Sequence, residues 1–490
     1  MYTGTGFSDW EIGDVDVFIH DGKYHLFHLI IPNHDYIAHA VSDDGINWRR
    51  EKNALFVGDP GEWDDDMLWT MHVSQEEDHF VMYYTGLSRK DAWTSQRIGR
   101  ARSDDLIHWT KEKAQGLPQG STGPYYETAG KNNPRKWLSF RDPFKFNYDG
   151  ETYLLINGRA ASGPVNRRGC VALAKLLDDR FVLQKPLFIP GVYDDVECPC
   201  VFELSGKFYL FGSIREDIKV RYWSSDALLG DYKTYHNNLL LPKGNYAARV
   251  VYDGDHRLIY NFYFTGRDVN SHRALPPPKQ IEVDATGKIY LSSYYRWPEK
   301  ILGSLAQKDF PTPRQLLSNS QARVDIDAES WHIIADGSYE VFAFNKPSES
   351  LIWEGTFKLE GYGKFGLVID CDTEGNGYWI TIDVINGYVK IRSWSFNETN
   401  VHNNFIYESL QANHFPPPCD RSLNFKLIRY GNYLELSIDN RIVLTLIDYQ
   451  YSNPFLGFYL SSCSATLTNS TIYSLSDPQH EYASQEVYFD

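Results

Sequence analysis

Acidic side chains occur at three places where strand-like, aromatic runs begin. Asp14 and Asp16 lie in DVDVFIHDGKYHLFH, Asp142 lies in FRDPFKF, and Glu197 lies in DDVECPCVFEL. In an extended strand, side chains at i and i+2 project from the same face, so Asp14 and Asp16 should lie side by side. Like charges gathered in this way need a cation, or a reason to keep one carboxyl protonated.

Cleavage of a glycosidic bond is a reaction that uses such acids. One carboxylic acid protonates the leaving oxygen, while a carboxylate attacks the sugar carbon or activates water. Glu197 follows Asp194 and Asp195 and precedes an apolar stretch, and both surroundings favour the protonated form that a general acid needs. Two alternatives remain: single acids at strand starts are often turn or cap residues, and Asp14 and Asp16 also form a D-x-D pattern used to bind metal–nucleotides.

An internal repeat indicates how these acids are positioned. A unit of four short strands with turn residues between them recurs five times before about residue 293, and two copies end in the similar segments SDDGINW and SDDLIHW. Five such units predict a five-bladed β-propeller over residues 1–300. The first strand of each blade lines the central channel. Asp14 in blade 1, Asp142 in blade 3 and Glu197 in blade 4 should therefore converge on one pocket.

The sequence pattern changes after the fifth repeat. Residues 301–321 are typical of a linker, and residues 322–475 contain alternating strands joined by turns such as N-G and D-N, which predict a β-sandwich. Residues 476–490 are polar and acidic, and we expect a poorly ordered tail there. The predicted fold class is all-β, a five-bladed propeller followed by a β-sandwich.

Composition restricts the class of partner. The 490-residue chain has a formal net charge of -16, which disfavours nucleic acids and anionic membranes, and 15% of its residues are aromatic, which suits the binding of saccharides. Six dispersed cysteines do not form a disulfide framework, and no apolar run is long enough to span a bilayer. We expect a soluble protein, cytoplasmic or secreted, that uses no metal and no organic cofactor.

Several motifs resemble glycoside hydrolase family 32, which includes invertases, inulinases and levanases. ECPCVFEL is similar to the family's E-C-P motif, FRDP matches its R-D-P motif, and MLWT followed by YYTG resembles elements of its second blade. The resemblance implies a propeller with an appended sandwich and a retaining β-fructofuranosidase-like activity on an oligo- or polysaccharide. It also implies roles for individual residues: nucleophile, Asp14; acid/base, Glu197; transition-state stabiliser, Asp142; hydroxyl clamp, Arg141; pocket wall, Trp69; specificity, Asp16 and His72.

The chain departs from the family pattern near the sugar-binding motifs. WEIGDVDVF stands where the family has W-M-N-D-P-N-G, Leu29 stands where it has glutamine, and Met71 and His72 stand where it has glycine and serine. Counting from Tyr24, Asp14 matches the catalytic aspartate of the related family 43. Two alternative functions therefore stay open: an inverting arabinofuranosidase or xylosidase that uses the same acids, and a carbohydrate-binding propeller that has lost catalysis.

Overall fold

The computed structural model describes residues 1–4, 11–112, 124–127, 135, 137–178, 180–235, 237–264, 272–327, 329–396 and 405–482. The chain forms two compact units. One comprises Met1–Ile289 together with the segment that begins at Gln479, and the other comprises Tyr290–Pro478.

The first unit contains five antiparallel sheets of four or five strands, which confirms the predicted five-bladed propeller. Blade 1 comprises β1 (Glu11–His20), β2 (Lys23–Ile31), β3 (Tyr36–Ser42), β4 (Arg49–Arg50) and β5 (Leu55–Phe56). Blade 2 comprises β6 (Met67–Glu76), β7 (His79–Leu87), β8 (Arg97–Ser103) and β9 (Thr110–Lys111). Blade 3 comprises β10 (Arg141–Tyr148), β11 (Glu151–Arg159), β12 (Gly169–Leu177) and β13 (Arg180–Leu183).

Blades 4 and 5 complete the ring. Blade 4 comprises β14 (Glu197–Leu204), β15 (Lys207–Ile214), β16 (Lys219–Ser225) and β17 (Leu239–Leu241). Blade 5 comprises β18 (Asn245–Asp253), β19 (His256–Phe264), β20 (Arg273–Ala274), β21 (Lys279–Val283) and β22 (Ile289–Ser293). The first strand of each blade lies beside the first strand of the next blade, and β18 lies beside β1, so these five strands surround the channel.

The repeated S-D-D segments are turns, as their polar pattern suggests. The Asp44 carboxylate accepts hydrogen bonds from the backbone N–H groups of Ile46 and Asn47, at 2.8 and 2.7 Å. The Asp105 carboxylate accepts the equivalent bonds in blade 2 from Ile107 and His108. These aspartates satisfy turn backbone groups instead of taking part in chemistry.

The second unit is a β-sandwich, as predicted. Its strands are β23 (Ile301–Ala306), β24 (Arg314–Gln315), β25 (Arg323–Ile326), β26 (Ser330–Ile334), β27 (Tyr339–Asn345), β28 (Leu351–Cys371), β29 (Gly377–Asp383), β30 (Tyr388–Phe396), β31 (Phe405–His414), β32 (Ser422–Tyr430), β33 (Tyr433–Ile438), β34 (Arg441–Ile447) and β35 (Phe455–Leu475). The long strands β28 and β35 pair with each other, and a register shift between Gly361 and Lys364 divides each into two halves that pair with different neighbours. Short 3₁₀ turns occur at Arg89–Asp91, Val165–Arg167, Trp297–Lys300 and Gln307–Asp309.

Two segments differ from the sequence expectation. Residues 301–321, expected to be a linker, contribute β23, which pairs with β35, and β24, which pairs with β27. Within the expected tail, Glu481 forms a parallel bridge with Arg49 of blade 1. In both places a neighbouring strand supplies partners for the backbone N–H and C=O groups. Such pairing forms a strand without an alternation of apolar and polar residues in the sequence. Residues 483–490 of the expected tail lie outside the described residues.

Candidate active site

Every innermost strand of the propeller has a β-bulge at the same level of the channel. The bulges lie between Ile12 and Val15, Trp69 and Met71, Arg141 and Phe144, Glu197 and Cys200, and Tyr246 and Arg249. A bulge inserts one extra residue and redirects neighbouring side chains. Polar side chains within or beside these bulges are therefore turned toward one end of the channel.

Three of the bulges contain a non-glycine residue in the left-handed region. The φ angles are 64° at Asp142, 49° at Cys198 and 51° at Ala247. Such a conformation costs on the order of 1–2 kcal/mol per residue and persists only where the surrounding structure enforces it. The repeated strain marks this level of the channel as the candidate site.

The bulges border a cavity of about 350 Å³, and the structure brings five of the seven predicted site residues together there: Asp14, Asp142, Glu197, Arg141 and Trp69. Leu29, which stands where the family pattern has glutamine, also lines the cavity. The three acids therefore converge as the repeat predicted, and Leu29 contributes an apolar side chain to the same cavity.

Asp14 is partly exposed to this cavity. Its Oδ2 atom accepts a hydrogen bond from the Thr70 hydroxyl and lies 3.7 Å from the Cys198 thiol. Burial is the main cause of a raised Asp14 pKa, and the charge of Glu197 adds to it, whereas the Thr70 bond, Arg249 and Arg141 oppose the shift.

Asp142 is almost fully buried beside Asp14. Its Oδ2 atom accepts hydrogen bonds from the Cys198 backbone N–H at 3.0 Å and from the Asn157 amide at 3.5 Å, and lies 3.7 Å from Arg141 Nε. Burial raises the pKa of Asp142, and the negative charge of Asp14 raises it further, against the opposing effect of Arg141. Carboxylate oxygens of Asp14 and Asp142 and the Cys198 thiol lie within 4.8 Å of one another. Because burial raises the Cys198 pKa well above its usual value, that sulfur remains a thiol donor.

Glu197 is held by a donor on each carboxylate oxygen. Arg141 Nη2 donates to Oε1 at 2.5 Å, and the Tyr246 hydroxyl donates to Oε2 at 2.5 Å. Arg141 also donates to Asp195 at 3.1 Å, and its guanidinium lies 6.0 Å from the centre of the Trp69 ring. These contacts fix the plane of the Glu197 carboxylate against the cavity.

The acids preceding Glu197 do not contribute unpaired negative charge. Asp195 forms ion pairs with Arg141 and Arg135, and Asp194 forms ion pairs with Arg135 and Arg159. The charges of Asp194 and Asp195 are therefore balanced by arginines in the folded chain.

Asp16 and His72 do not line the cavity. Asp16 is 1% exposed, accepts a hydrogen bond from the Val73 backbone at 2.7 Å and lies 3.3 Å from His72 Nδ1. His72 lines a second cavity, formed by residues farther along the innermost strands. Two residues along a strand span about 6–7 Å. Asp16 therefore lies deeper in the channel than Asp14. In the structure the two side chains contact each other outside the described lining of this cavity, and their expected contact with substrate stays a prediction.

Sequence reasoning missed two residues of blade 5. Tyr246 stands immediately before the bulge, at the position of Arg141 and Glu197 in their blades. Arg249 stands immediately after it and is 1% exposed, and it donates to the carbonyl oxygens of Pro199 at 2.7 Å and Pro143 at 3.1 Å. The signal was present in YAARVV, the fifth copy of the innermost strand, where the repeat has no acid.

Arg249 places a positive charge beneath the acids. Its charge opposes the rise in the Asp14 pKa, and the charges of Asp16 and Asp142 raise its own pKa despite its burial. It also joins the bulges of blades 3 and 4, because Pro143 and Pro199 lie within them. Arg249 therefore both neutralises and positions the cluster.

The model for the glycosyl hydrolases family 32 N-terminal domain matches residues 14–263, more than half of the chain. The chain belongs to glycosyl hydrolase family 32. As a member of that family it is a glycosidase, and the start of the match coincides with Asp14. No curated protein matches the chain.

Several solved structures share the fold of this glycosidase. Fructan 1-exohydrolase IIa from Cichorium intybus has a TM-score of 0.69 at 15% identity, with 98% of each chain covered. Sucrose-6-phosphate hydrolase from Lactobacillus gasseri has a TM-score of 0.67 at 14% identity, over 95% of this chain and 91% of the other. A family 32 β-fructofuranosidase from Bombyx mori has a TM-score of 0.64 at 17% identity, over the same shares of the two chains. In the part of the family 32 glycosidase that the structure describes, no helix is long and apolar enough to cross a membrane.

Proposed function

We propose that this family 32 hydrolase removes a terminal β-fructofuranosyl unit by a retaining double displacement. The observation that carries the proposal is the convergence of Asp14, Asp142 and Glu197 on one cavity of about 350 Å³. The fructan exohydrolase and β-fructofuranosidase among its structural relatives support a fructoside as the substrate class.

In the first step, Asp14 attacks the anomeric carbon and Glu197 gives its proton to the leaving oxygen. Glu197 Oε1 is bonded to Arg141 in the free site. When Arg141 turns to a sugar hydroxyl, this oxygen is released to carry the proton. In the second step, Glu197 takes a proton from water, and that water breaks the covalent bond to Asp14.

Asp142 and its neighbours hold the sugar between these groups. Its carboxylate would accept hydrogen bonds from ring hydroxyls, which strengthen as positive charge develops at the anomeric carbon. Trp69 would form the wall against which the apolar face of the ring packs, since it lines the cavity beside Arg141.

The test is hydrolysis of sucrose, inulin, levan and nitrophenyl arabinofuranosides and xylosides, with the anomer of the first product identified by NMR. We expect release of fructose with retained configuration. Inversion would contradict the role of Asp14 as nucleophile, and activity confined to a pentoside would contradict the fructose assignment. Cleavage of no member of the panel would favour a protein that binds carbohydrate without catalysis.

Two substitutions test the assigned roles. Asp14→Asn and Glu197→Gln should each reduce kcat by about a thousandfold or more while sugar binding is retained. Asp104→Asn is the matched control, because Asp104 is 80% exposed in a turn of blade 2 and should leave kcat unchanged. Equal activity in all four proteins would contradict the proposed site.

A further inference from the structure

The central channel of the propeller contains a second cavity, of about 450 Å³, beyond the bulges that border the candidate active site. It is lined by the later residues of all five innermost strands, 17–19, 72–75, 144–148, 201–203 and 250–252, together with Phe208 and Leu228. None of these residues stands within six positions in sequence of a gap in the described ranges. Its volume lies in the range of about 300–1,000 Å³ that is usual for small-molecule sites.

Aromatic side chains are concentrated around this second cavity. They are seven of its twenty lining residues, whereas 15% of the whole chain is aromatic. Two of the rings meet solvent, since Tyr148 is 38% exposed and Tyr252 is 50% exposed. Tyr148 packs in an edge-to-face arrangement with Phe208, with ring centres 5.1 Å apart, and the Arg257 guanidinium lies 5.5 Å from the centre of the Tyr252 ring. Neighbouring side chains thus hold both rings in place while part of each ring stays open to a ligand.

The hydroxyl of Ser74 is a polar group without a partner at this cavity. Its Oγ atom is buried, and no described residue forms a hydrogen bond with it. A buried hydroxyl without a hydrogen bond is costly, and a purely apolar occupant would leave that cost in place. An occupant that fits the cavity therefore brings hydrogen-bonding groups as well as apolar surface.

The charges of the lining disfavour an anionic occupant. Lys145 is 7% exposed and forms an ion pair with Glu76 at 2.9 Å. The ring nitrogens of His72 lie 3.3 Å from Asp16 and 3.1 Å from the Lys145 carbonyl oxygen. The remaining charged side chain, Glu203, is an exposed carboxylate. Among the described lining residues, no positive charge is therefore left unpaired.

We propose that this cavity is a second saccharide-binding site, which takes a neutral sugar unit and is separate from the candidate active site. A sugar ring has an apolar C–H face, which packs on the exposed tyrosine rings, and hydroxyl groups, which satisfy Ser74 and the neutral side chains of Gln75 and Asn147. Since the chain is a family 32 glycosidase, saccharides are the ligands that it meets. The site holds a further unit of a substrate or a product, and it uses none of the three acids.

Isothermal titration calorimetry of sucrose, maltotriose and xylotriose tests the proposal. The titrated protein carries Glu197→Gln, so that a bound sugar is not cleaved. We expect at least one sugar to show a binding event that Tyr148→Ala weakens about fivefold or more, because an open ring is lost, whereas Tyr148→Phe keeps most of the affinity. Tyr339→Ala is the matched control, since Tyr339 is 37% exposed in the β-sandwich, and it should leave that event unchanged.

The buried hydroxyl gives a second, independent measurement. Ser74→Ala should weaken the same binding event about threefold or more, because it removes the group that the sugar satisfies. Cyclohexanol, an apolar ring with one hydroxyl, should bind more weakly than that sugar. The proposal is overturned if no sugar shows a binding event that depends on Tyr148 and Ser74, or if cyclohexanol binds more tightly than every sugar.

Melting temperatures exclude unfolding as the cause of lost affinity. Tyr148→Ala and Ser74→Ala should each melt within about 2 °C of the parent protein, since neither removes a large buried side chain. Should Tyr148→Ala fail to fold, a loss of affinity in a stable Ser74→Ala supports the proposal, and an unchanged affinity overturns it.

The same titrations separate this site from the active site. Trp69→Ala changes the wall of the active-site cavity and should leave the binding event that depends on Tyr148 unchanged. Loss of that event in Trp69→Ala would contradict a separate site. If the event that depends on Tyr148 is present and no other sugar binds, the second site stands and the proposed function lacks a bound substrate. If sugar binds and neither Tyr148→Ala nor Ser74→Ala affects it, the second site fails and the proposed function stands.

Discussion

The hydroxyl of Thr70 stabilises the ionised form of Asp14. Its hydrogen bond opposes the rise in the Asp14 pKa that burial and Glu197 cause. Thr70→Val removes this bond, so the Asp14 pKa should rise further. Because a nucleophile must be ionised, the acidic limb of the kcat/KM profile should move to higher pH by about half a unit to one unit.

The measurement is the pH profile of kcat/KM for the wild type and the variant. Thr152→Val provides the control, because Thr152 donates to Asn147 at the opposite end of β11 from Asn157. Its profile should overlay that of the wild type. A limb that stays in place or moves to lower pH in Thr70→Val would refute the role of the hydroxyl.

The raised pKa of Asp14 also has a consequence for stability. Burial raises it above the value of about 3.9 expected in the unfolded chain. The folded state therefore binds a proton more tightly, and stability is lost as the pH rises through the folded pKa. Asp14→Asn removes the charge, so its melting temperature should exceed that of the wild type near pH 7, by about 1–3 °C, and the difference should shrink below about pH 4.

Calorimetry at pH 7 and pH 4 measures this effect. The control, Asp104→Asn, changes an exposed carboxylate and should shift the melting temperature at neither pH. A variant that is less stable than wild type at pH 7 would mean that Asp14 serves as a stabilising counterion to Arg249 and Arg141.

The convergence of the three acids on one cavity could be predicted from the sequence because they occupy one register of a repeat. Asp14, Asp142 and Glu197 could be superposed without knowledge of their contacts. The place of Asp16 outside the cavity lining could not be predicted, because the i, i+2 rule fixes a face of a strand but not the depth at which a side chain meets the channel. Tyr246 was missed because a tyrosine in a strand is ordinarily a packing residue, although it shares the register of Arg141 and Glu197 and donates to Glu197.

At the scale of elements, the bulges convert five similar strands into a site. One extra residue per strand cannot be seen in the sequence, because strand ends vary by more than that. In blade 5 the bulge places Ala247 at a φ of 51° directly after Tyr246. The orientation of Tyr246 thus depends on a backbone conformation that a β-branched residue adopts poorly.

Ala247→Val tests this dependence. The variant should lose on the order of 2 kcal/mol of stability and also lose activity, because the displaced strand would carry Tyr246 away from Glu197. Ala247→Gly, which accepts a positive φ, should keep near wild-type activity. Ala248→Val, in the same bulge but without a positive φ, controls for added volume. Equal losses in both valine variants would assign the effect to packing instead of backbone conformation.

At the scale of the whole molecule, the two predicted units are present, but residues 301–306, predicted to lie in a linker, form strand β23 of a sheet. The sequence of β23 shows no alternation of buried and exposed residues, since all six are exposed or partly exposed. Such a segment is typical of a linker. Its place in the sheet follows from pairing with the last strand, β35, which no local pattern can show.

The C-terminal segment returns to the propeller after the sandwich. The Glu481 backbone donates to the Trp48 carbonyl and accepts from the Arg50 N–H, both at 2.9 Å. The Tyr482 ring stacks on Tyr2 with centroids 5.8 Å apart. These contacts provide hydrogen-bond partners for backbone groups at the edge of blade 1. The end of the chain should therefore contribute to the stability of that blade.

Two truncated chains test this contribution. One ends at Pro478 and lacks the C-terminal segment, and the other ends at Tyr482 and retains every contact named above. The shorter chain should lower the melting temperature of the propeller by about 5 °C, because it loses the hydrogen bonds and ring contacts that residues 479–482 make with blade 1 and Tyr2. Hydrogen exchange followed by mass spectrometry should show faster exchange in Tyr36–Ser42 and at Arg50 of the shorter chain, while β28 is unchanged. Identical exchange at Arg50 in the two truncated chains would mean that blade 1 closes its edge without the C-terminal segment.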